Sequence, residues 1–511
     1  MDNRGEKIRT LLTELISLDS LTGTARERFV EGWLLRQLSA FGPAVEAGSI
    51  AVPHDPAGRA AIYAFVRGSR RQTVLFMNHH DVVSTEAYGS LAGLAFSPES
   101  LAEELKKIET DAEVQADLAS GDWLFGRGAC DMKGGLAAQL AVLEEYAEQP
   151  DGVTLLFLSV PDEESFSAGM RAALPLLKEL KEREKLEYSV LVDCEPNQME
   201  NGRLTAFTGS VGKVLPVLFA QGRDVHISRY AEGLNPLGII ARIIAATEGN
   251  AALIDTCGIE KTPPPAWVFL RDQKEQYDFS LPKRAAAYGS FLTFQKTPAD
   301  VLAILQKAAS AAIADCRSKT GTAVSMDIIT FADLWKKASA QPGFPDFQTE
   351  LTAQTLQALQ DGTMDYPACT LQAIGRTIDF MKLTEPVLVL AFAPPYYPAA
   401  DSRAMDSPSF AGLTASLEGH FPLRLCRYFT GVSDCSYCGI EKSLDTAAFE
   451  ANTPLWGQAY SFDLPLLQEL QIPFLLLGPW GKDLHERTER VHVGSLCQDL
   501  PDILWHIMKT I

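Results

Sequence analysis

Apolar residues recur along the chain in two rhythms. Near the start they fall at helical spacing. Lys7 to Ile16 reads as one amphipathic helix and about Ala25 to Ser39 as a second, with Phe29, Trp33, Leu34, Leu35 and Leu38 along it. From residue 60 onward, short runs that are apolar throughout take over. Ala60–Val66, Thr73–Met77, Val153–Val160 and Tyr188–Val192 predict buried strands. Between them lie predicted helices over Gly134–Tyr146 and Met170–Leu180, and a charged helical stretch over about Pro98–Leu118. Strands that do not alternate, interleaved with helices, predict a largely parallel sheet covered on both faces.

Near residue 208 the pattern changes. Val211–Phe219, Ser290–Gln295 and Ser325–Phe331 read as strands, Asn235–Thr247 and Pro298–Cys316 as helices. This predicts a small α+β unit, one sheet backed by two helices. Beyond it Val387–Phe392 and Phe474–Leu477 again predict buried strands, with helices near Thr352–Leu359, Asp463–Glu469 and Pro501–Met508. The simplest architecture is an α/β fold with a mostly parallel central sheet. Its larger domain, residues 1–208 and 336–511, is interrupted by the smaller one at residues 209–335.

Composition narrows the function classes. The 65 Asp and Glu outnumber the 45 Lys and Arg, for a formal charge of −20. That balance argues against non-specific binding of nucleic acid or anionic membrane. No run of 18 apolar residues predicts a spanning helix, and the first residues lack the pattern of a secretory signal. Nine cysteines, an odd number in a long chain, do not make a disulfide framework and point to a reducing cytoplasm. Cys435 and Cys438 have the spacing of zinc ligands but no second pair nearby, so they read as buried free thiols.

Histidine is scarce, with eight in the chain, and its placement is informative. The Thr73–Met77 strand runs into Asn78-His79-His80-Asp81. Alternation puts His79 and Asp81 on one side and His80 on the other, the arrangement of a metal ligand oriented by a carboxylate. The segment Gly126-Arg127-Gly128-Ala129-Cys130-Asp131-Met132-Lys133-Gly134-Gly135 delivers Asp131 just before a helix. It is not a phosphate-binding loop, because Lys133 is followed by glycine; Asp131 can cap the helix or bridge two cations. Pro161-Asp162-Glu163-Glu164 follows the strand ending at Val160, and Asp193 or Glu195 follows the next one. Such strand ends are where α/β sheets place their sites, and clustered carboxylates there are costly unless metal or protons neutralise them. One glutamate can be a ligand and its neighbour a general base. His485, after the Phe474–Leu477 strand, closes a set of His79, Asp131, Glu164, Glu195 and His485. Two histidines and three carboxylates suit two divalent ions, zinc first, then manganese or cobalt.

HxD at a strand end, GRGACDMKGG, PDEE, an EP turn and a late histidine resemble the co-catalytic zinc amidohydrolases and metallopeptidases. That family includes aminoacylase, acetylornithine deacetylase, succinyl-diaminopimelate desuccinylase and bacterial glutamate carboxypeptidase. The stretches AFAPPYYP (391–398) and RYFTGVSDCSY (427–437) resemble its arginine-utilisation, RocB-like branch. The resemblance implies a phosphorylase/hydrolase-like catalytic domain and a lid of the dimerisation type, hence a homodimer through the lid. It implies that Asp131 bridges the ions, with Glu164 and His485 completing one site and His79 and Glu195 the other. Glu163 becomes the general base, Asp81 the orienting carboxylate, and His226, in GRDVHISRYAEGLNP, the donor to the oxyanion. A cis peptide after the bridging aspartate, here Asp131–Met132, is also implied. The expected activity is hydrolysis of an amide bond in an N-acyl amino acid or short peptide, in amino-acid degradation with arginine included. The alternatives are a dipeptidase or carboxypeptidase of the same chemistry, and a binding protein with a dead site. Arg284 and Arg427 are candidate anchors for a substrate carboxylate. Ser433 and Asp434 line the cleft or form a turn, and Tyr396 and Tyr397 follow prolines that could aim them at a pocket.

Overall fold

In the computed structural model, which describes residues 3–108, 110–274, 276–440 and 444–511, the strands sort into two separate main sheets. The larger unit comprises Met1–Ser210, Ala400–Glu441 and Asp463–Ile511; the smaller comprises Val211–Ala399 and Lys442–Phe462.

The sheet of the larger unit runs Val45–Ala51, Ala60–Val66, Thr154–Val160, Gln72–His79, Glu187–Asp193, Phe474–Leu476, Arg203–Phe207, Leu423–Cys426, with Met199–Glu200 paired to Arg203–Phe207. Its centre is parallel: Gln72–His79 lies between Thr154–Val160 and Glu187–Asp193, and Phe474–Leu476 continues in the same direction. Its flanks are not. Val45–Ala51 is antiparallel to Ala60–Val66, which is antiparallel to Thr154–Val160, and Leu476 meets Phe207 antiparallel. The expectation of a mostly parallel sheet is therefore corrected to a mixed one. The cause is the turn at residues 52–59, too short for a crossover, which forces an antiparallel hairpin. Its outer strand, Val45–Ala51, is half-exposed and carries no apolar run, so nothing in the hydrophobic pattern announces it.

One helix fixes the strand ends. Lys133–Glu148 is buried along most of its length, and small residues, Gly134, Gly135, Ala137 and Ala138, dominate its start. A Cβ on Gly135 would stand 2.2 Å from the Cys194 carbonyl oxygen, so only glycine permits this approach. Deeper in the helix, Gln139 donates from Nε2 to the carbonyls of Met77 and Val192, both at 3.0 Å, and accepts from Asn78 Nδ2 at 2.8 Å. The helix thereby ties together the two strands that end beside His79 and Glu195.

The smaller unit has a five-stranded sheet in the order Ala266–Asp272, Arg284–Thr293, Gly212–Gln221, Val387–Tyr397, Asp327–Thr330, antiparallel except for the last pair. Pro236–Thr247 and Pro298–Thr320 pack on one face, Phe331–Ser339 and Tyr366–Phe380 on the other. The return to the larger unit thus comes at Ala400 rather than 336, and both faces are covered instead of one. Val387–Tyr397 is buried throughout and is a core strand here, not of the larger sheet. A wholly apolar run signals burial without saying in which sheet. Tyr396 and Tyr397 are 4% and 3% exposed, and Tyr396 stacks on Phe449, so Tyr396 is a core residue rather than one projecting into a pocket. No helix among the described residues is long and apolar enough to cross a membrane.

Candidate metal centre

His79 closes the central strand, almost fully buried. Its Nδ1 lies 3.0 Å from the Asp81 carbonyl and 3.4 Å from Asp81 Oδ1, which directs Nε2 toward Asp131 Oδ1 at 3.1 Å and Glu195 Oε1 at 3.5 Å. His485, held at φ 66° and half-exposed, approaches from the other side. Its Nε2 is 3.2 Å from Asp131 Oδ2 and 3.2 Å from Glu164 Oε1. The two oxygens of Asp131 are thus divided between two imidazoles. His79, Asp131 and Glu164 present donor atoms within 4.8 Å of one another, as do His79, Glu163 and Glu195.

Asp81 has a second task that the sequence pattern did not reveal. Its carboxylate oxygens accept from the backbone N–H groups of Glu163 and Glu164, each at 3.2 Å. One buried carboxylate therefore orients His79 and holds the turn carrying both glutamates.

Two further residues were missed because they lie outside the strand ends. Arg127, 1% exposed, pairs with Glu489 at 2.5 Å and donates to the carbonyls of His485 at 2.9 Å and Ser84 at 3.2 Å. Glu489 also accepts from the N–H groups of Cys130 at 3.3 Å and Asp131 at 3.4 Å. The pair sets the backbones of Asp131 and His485 relative to each other. The only signal was an arginine inside the glycine-rich segment and an acid four residues after His485. The Asp131–Met132 peptide is cis.

The electrostatics are those of crowded anions. Burial pushes the Glu195 carboxyl well above its ordinary range, with Asp131 adding to the rise against the pull of His79. Burial likewise lifts Glu163, opposed by His79 and reinforced by Asp434 and Glu164. Glu164 rises through burial and the charge of Asp131. Burial works against charge on His79, yet Glu195, Asp131 and Asp81 together raise it well above the usual imidazole value. Hydrogen bonds donated to Asp131 and Glu164 bring His485 to about 10. Asp131 is held down, burial notwithstanding, by its bonds to the two histidines.

The remaining candidates sort as follows. Asp193 faces away from the cluster and accepts at Oδ2 from Ser433 Oγ at 3.1 Å and Cys435 Sγ at 3.3 Å. Ser433 caps a short turn over Asp434–Tyr437, and Asp434, 1% exposed, is raised by burial to about 7. Cys435 and Cys438 are buried free thiols. Arg427 is paired with Asp401, and Arg284 with Gln221 and Asp379, so both candidate anchors have internal partners. His226 belongs to the smaller unit and is exposed. Its Nδ1 lies 2.8 Å from the Ser228 hydroxyl and 3.3 Å from the Ser228 backbone nitrogen. His80 points to Ser159, 3.0 Å from its hydroxyl.

Divalent cations fit this donor set. Among the described residues Asp131, Glu164 and Glu195 meet imidazoles rather than lysine or arginine side chains, and buried carboxylates crowded in this way are costly unless cations or protons neutralise them. Carboxylate and imidazole together suit zinc, manganese or cobalt. The family model for peptidase family M20/M25/M40 matches residues 75–382.

The chain belongs to this family.

Among M20/M25/M40-type relatives, YqjN of Bacillus subtilis strain 168, described as uncharacterized, is 31% identical over 98% of this chain and 95% of its own length. Protein RocB of the same organism is 28% identical over 98% and 94%. Solved structures with the same fold include aminopeptidase PepT from Bacillus cereus ATCC 10987, with a TM-score of 0.56 at 13% identity, covering 99% of this chain and 98% of PepT. Human carnosine dipeptidase 1 has a TM-score of 0.56 at 12% identity, covering 100% and 97%.

Proposed function

We propose that the protein is a dinuclear metal-dependent hydrolase that cleaves an amide bond in an N-acyl amino acid or short peptide, in amino-acid degradation. The observation that carries this reading is the division of Asp131 between His79 and His485, with the Glu163 carboxylate close to His79 and Glu195. His79 and Glu195 would hold one ion, Glu164 and His485 the other, and Asp131 both. When bound, the ions would supply Lewis acidity, making a water acidic and polarising the substrate carbonyl. Zinc is the first choice, manganese or cobalt the next.

The chain's own residues do the rest. Glu163 takes the proton of the attacking water and delivers it to the departing nitrogen, a transfer worth roughly 10²–10⁴-fold in rate. Its burial favours a carboxyl that holds a proton between the two steps. Asp81 keeps His79 in one tautomer and fixes the turn that presents Glu163. His226 is the proposed donor to the oxyanion, within a homodimer built through the smaller unit. The small-molecule substrate, the absence of nucleic-acid or membrane partners and a cytoplasmic location belong to the same proposal.

The deciding experiment is a hydrolysis panel of N-acyl amino acids beside dipeptides, run with zinc, manganese or cobalt added and again after chelation. Metal-dependent release of a free amino acid from one class is expected. Turnover that survives chelation, or none on any amide despite bound metal, would sink the proposal.

A further inference from the structure

Glu163 and Glu164 sit on a turn gripped from two sides, and the second grip is supplied by residues that are not proposed ligands. Asp162, the residue before them, has φ 70° and is almost fully buried. Its carbonyl accepts from the N–H groups of Ser165, Phe166 and Ser167, and its Oδ2 from Ala168 N at 3.1 Å. Its remaining carboxylate oxygen, Oδ1, receives Nη1 of Arg59 at 2.7 Å.

Arg59 is itself 7% exposed and spends its whole fork internally. Nη1 also reaches Glu27 Oε1 at 2.8 Å, while Nη2 and Nε engage Asp55 at 2.7 and 3.1 Å. Glu27 closes the loop, because its Oε2 accepts from the Asp162 N–H at 3.0 Å. Asp162 is thus held at both backbone and side chain by groups from the second helix and from the hairpin turn. A planar guanidinium can satisfy three carboxylates in fixed directions, which a lysine ammonium cannot do with the same geometry.

We infer that Arg59 is a positioning residue for the Glu163–Glu164 turn, acting through Asp162, and that it supports the half of the metal centre completed by Glu164 and His485 far more than the half completed by His79 and Glu195. The inference rests on the metal-centre reading above. Its distinguishing feature is asymmetry. A residue needed only for folding would weaken both halves together, whereas loss of this grip leaves Glu163 and Glu164 held by Asp81 alone and leaves His79, Asp131 and Glu195 on their own supports.

The test is a cobalt(II) titration of the metal-free full-length protein, followed by visible absorption and elemental analysis, for wild type, Arg59→Met and Asp162→Asn. The second substitution keeps the size of the side chain, so it still reports if Arg59→Met does not fold. Wild type is expected to take up two equivalents. In the variants one equivalent should bind as before and the other roughly 10–100-fold more weakly, the range for loss of a group supporting a ligand. On the best amide from the panel, kcat should fall at least tenfold with KM within about threefold, and Arg59→Lys should recover part of the loss. Equal weakening of both equivalents, or unchanged titration in both variants, would overturn the inference. If wild type binds two equivalents and cleaves no amide, the proposed reaction fails, and the titration still decides the role of Arg59.

Discussion

In the proposed mechanism Glu163 has to be close to the reacting atoms and leave the holding of metal to its neighbours. Its neighbour Glu164 has the opposite requirement, and the two are separated by one peptide bond. The structure resolves this by fixing the backbone of both through Asp81, while Glu164 turns its Oε1 toward His485. Glu163→Gln should therefore retain both metal ions, as measured by elemental analysis, and lose roughly 10²–10⁴-fold in kcat. A variant with wild-type turnover would remove Glu163 from the role. Several of these residues were legible in the sequence because they follow continuous apolar strands, where a charged residue stands out. Arg59, Arg127 and Glu489 were not, since a buried ion pair assembled from distant segments leaves no local pattern. The Asp193-or-Glu195 ambiguity had the same origin. Both acids end one strand, and only the partners Ser433 and Cys435 show that Asp193 is engaged elsewhere.

At the scale of elements, the junction between the Arg284–Thr293 strand and the Pro298–Thr320 helix depends on one carboxylate. Asp255 Oδ2 accepts from three successive N–H groups, of Phe294, Gln295 and Lys296, at 2.7–2.8 Å. Burial opposes its charge, but these bonds and the charge of Lys296 win, and its affinity for a proton is lowered. A depressed carboxyl stabilises the fold above its unfolded value of 3.8 and loses that contribution as the pH falls through the lower folded value. Asp255→Asn should cost about 2–3 kcal/mol at pH 7, and the gap to wild type should narrow by pH 3, read from urea midpoints at both values. A gap that is constant with pH would refute the account. The helices Pro236–Thr247 and Pro298–Thr320 were foreseeable from their periodicity. The Ala266–Asp272 strand was not; it lies at the sheet edge, where its apolar run Ala266–Leu270 alternates between exposed and half-buried positions.

For the whole molecule, the metal centre joins segments around residues 79, 131, 163, 195 and 485 within the larger unit. Without cations, their carboxylates repel one another in a buried setting. Chelation should lower the unfolding temperature of the larger unit, and ions at a hundredfold excess over Kd should restore about 2.7 kcal/mol per site. Scanning calorimetry with and without chelator measures this, and an unchanged transition would argue against metal binding. The α/β class and the interruption of one domain by another could be read from the order of strands and helices. The position of the return crossing could not, because strand burial does not encode which sheet a strand joins.

The strand Phe474–Leu476 lies between Glu187–Asp193 and Arg203–Phe207, strands encoded more than 260 residues earlier. On the ribosome, then, the larger sheet has an open slot for most of synthesis. Two unpaired strand edges wait there while the smaller unit is made, and in the proposed centre no ion would find its full coordination until His485 emerges. Premature termination anywhere before residue 474 would leave those edges exposed, a state prone to pairing with other chains. Closure of the larger sheet therefore waits for Phe474–Leu476, and a released chain that lacks this strand should be bound by the cell's chaperones.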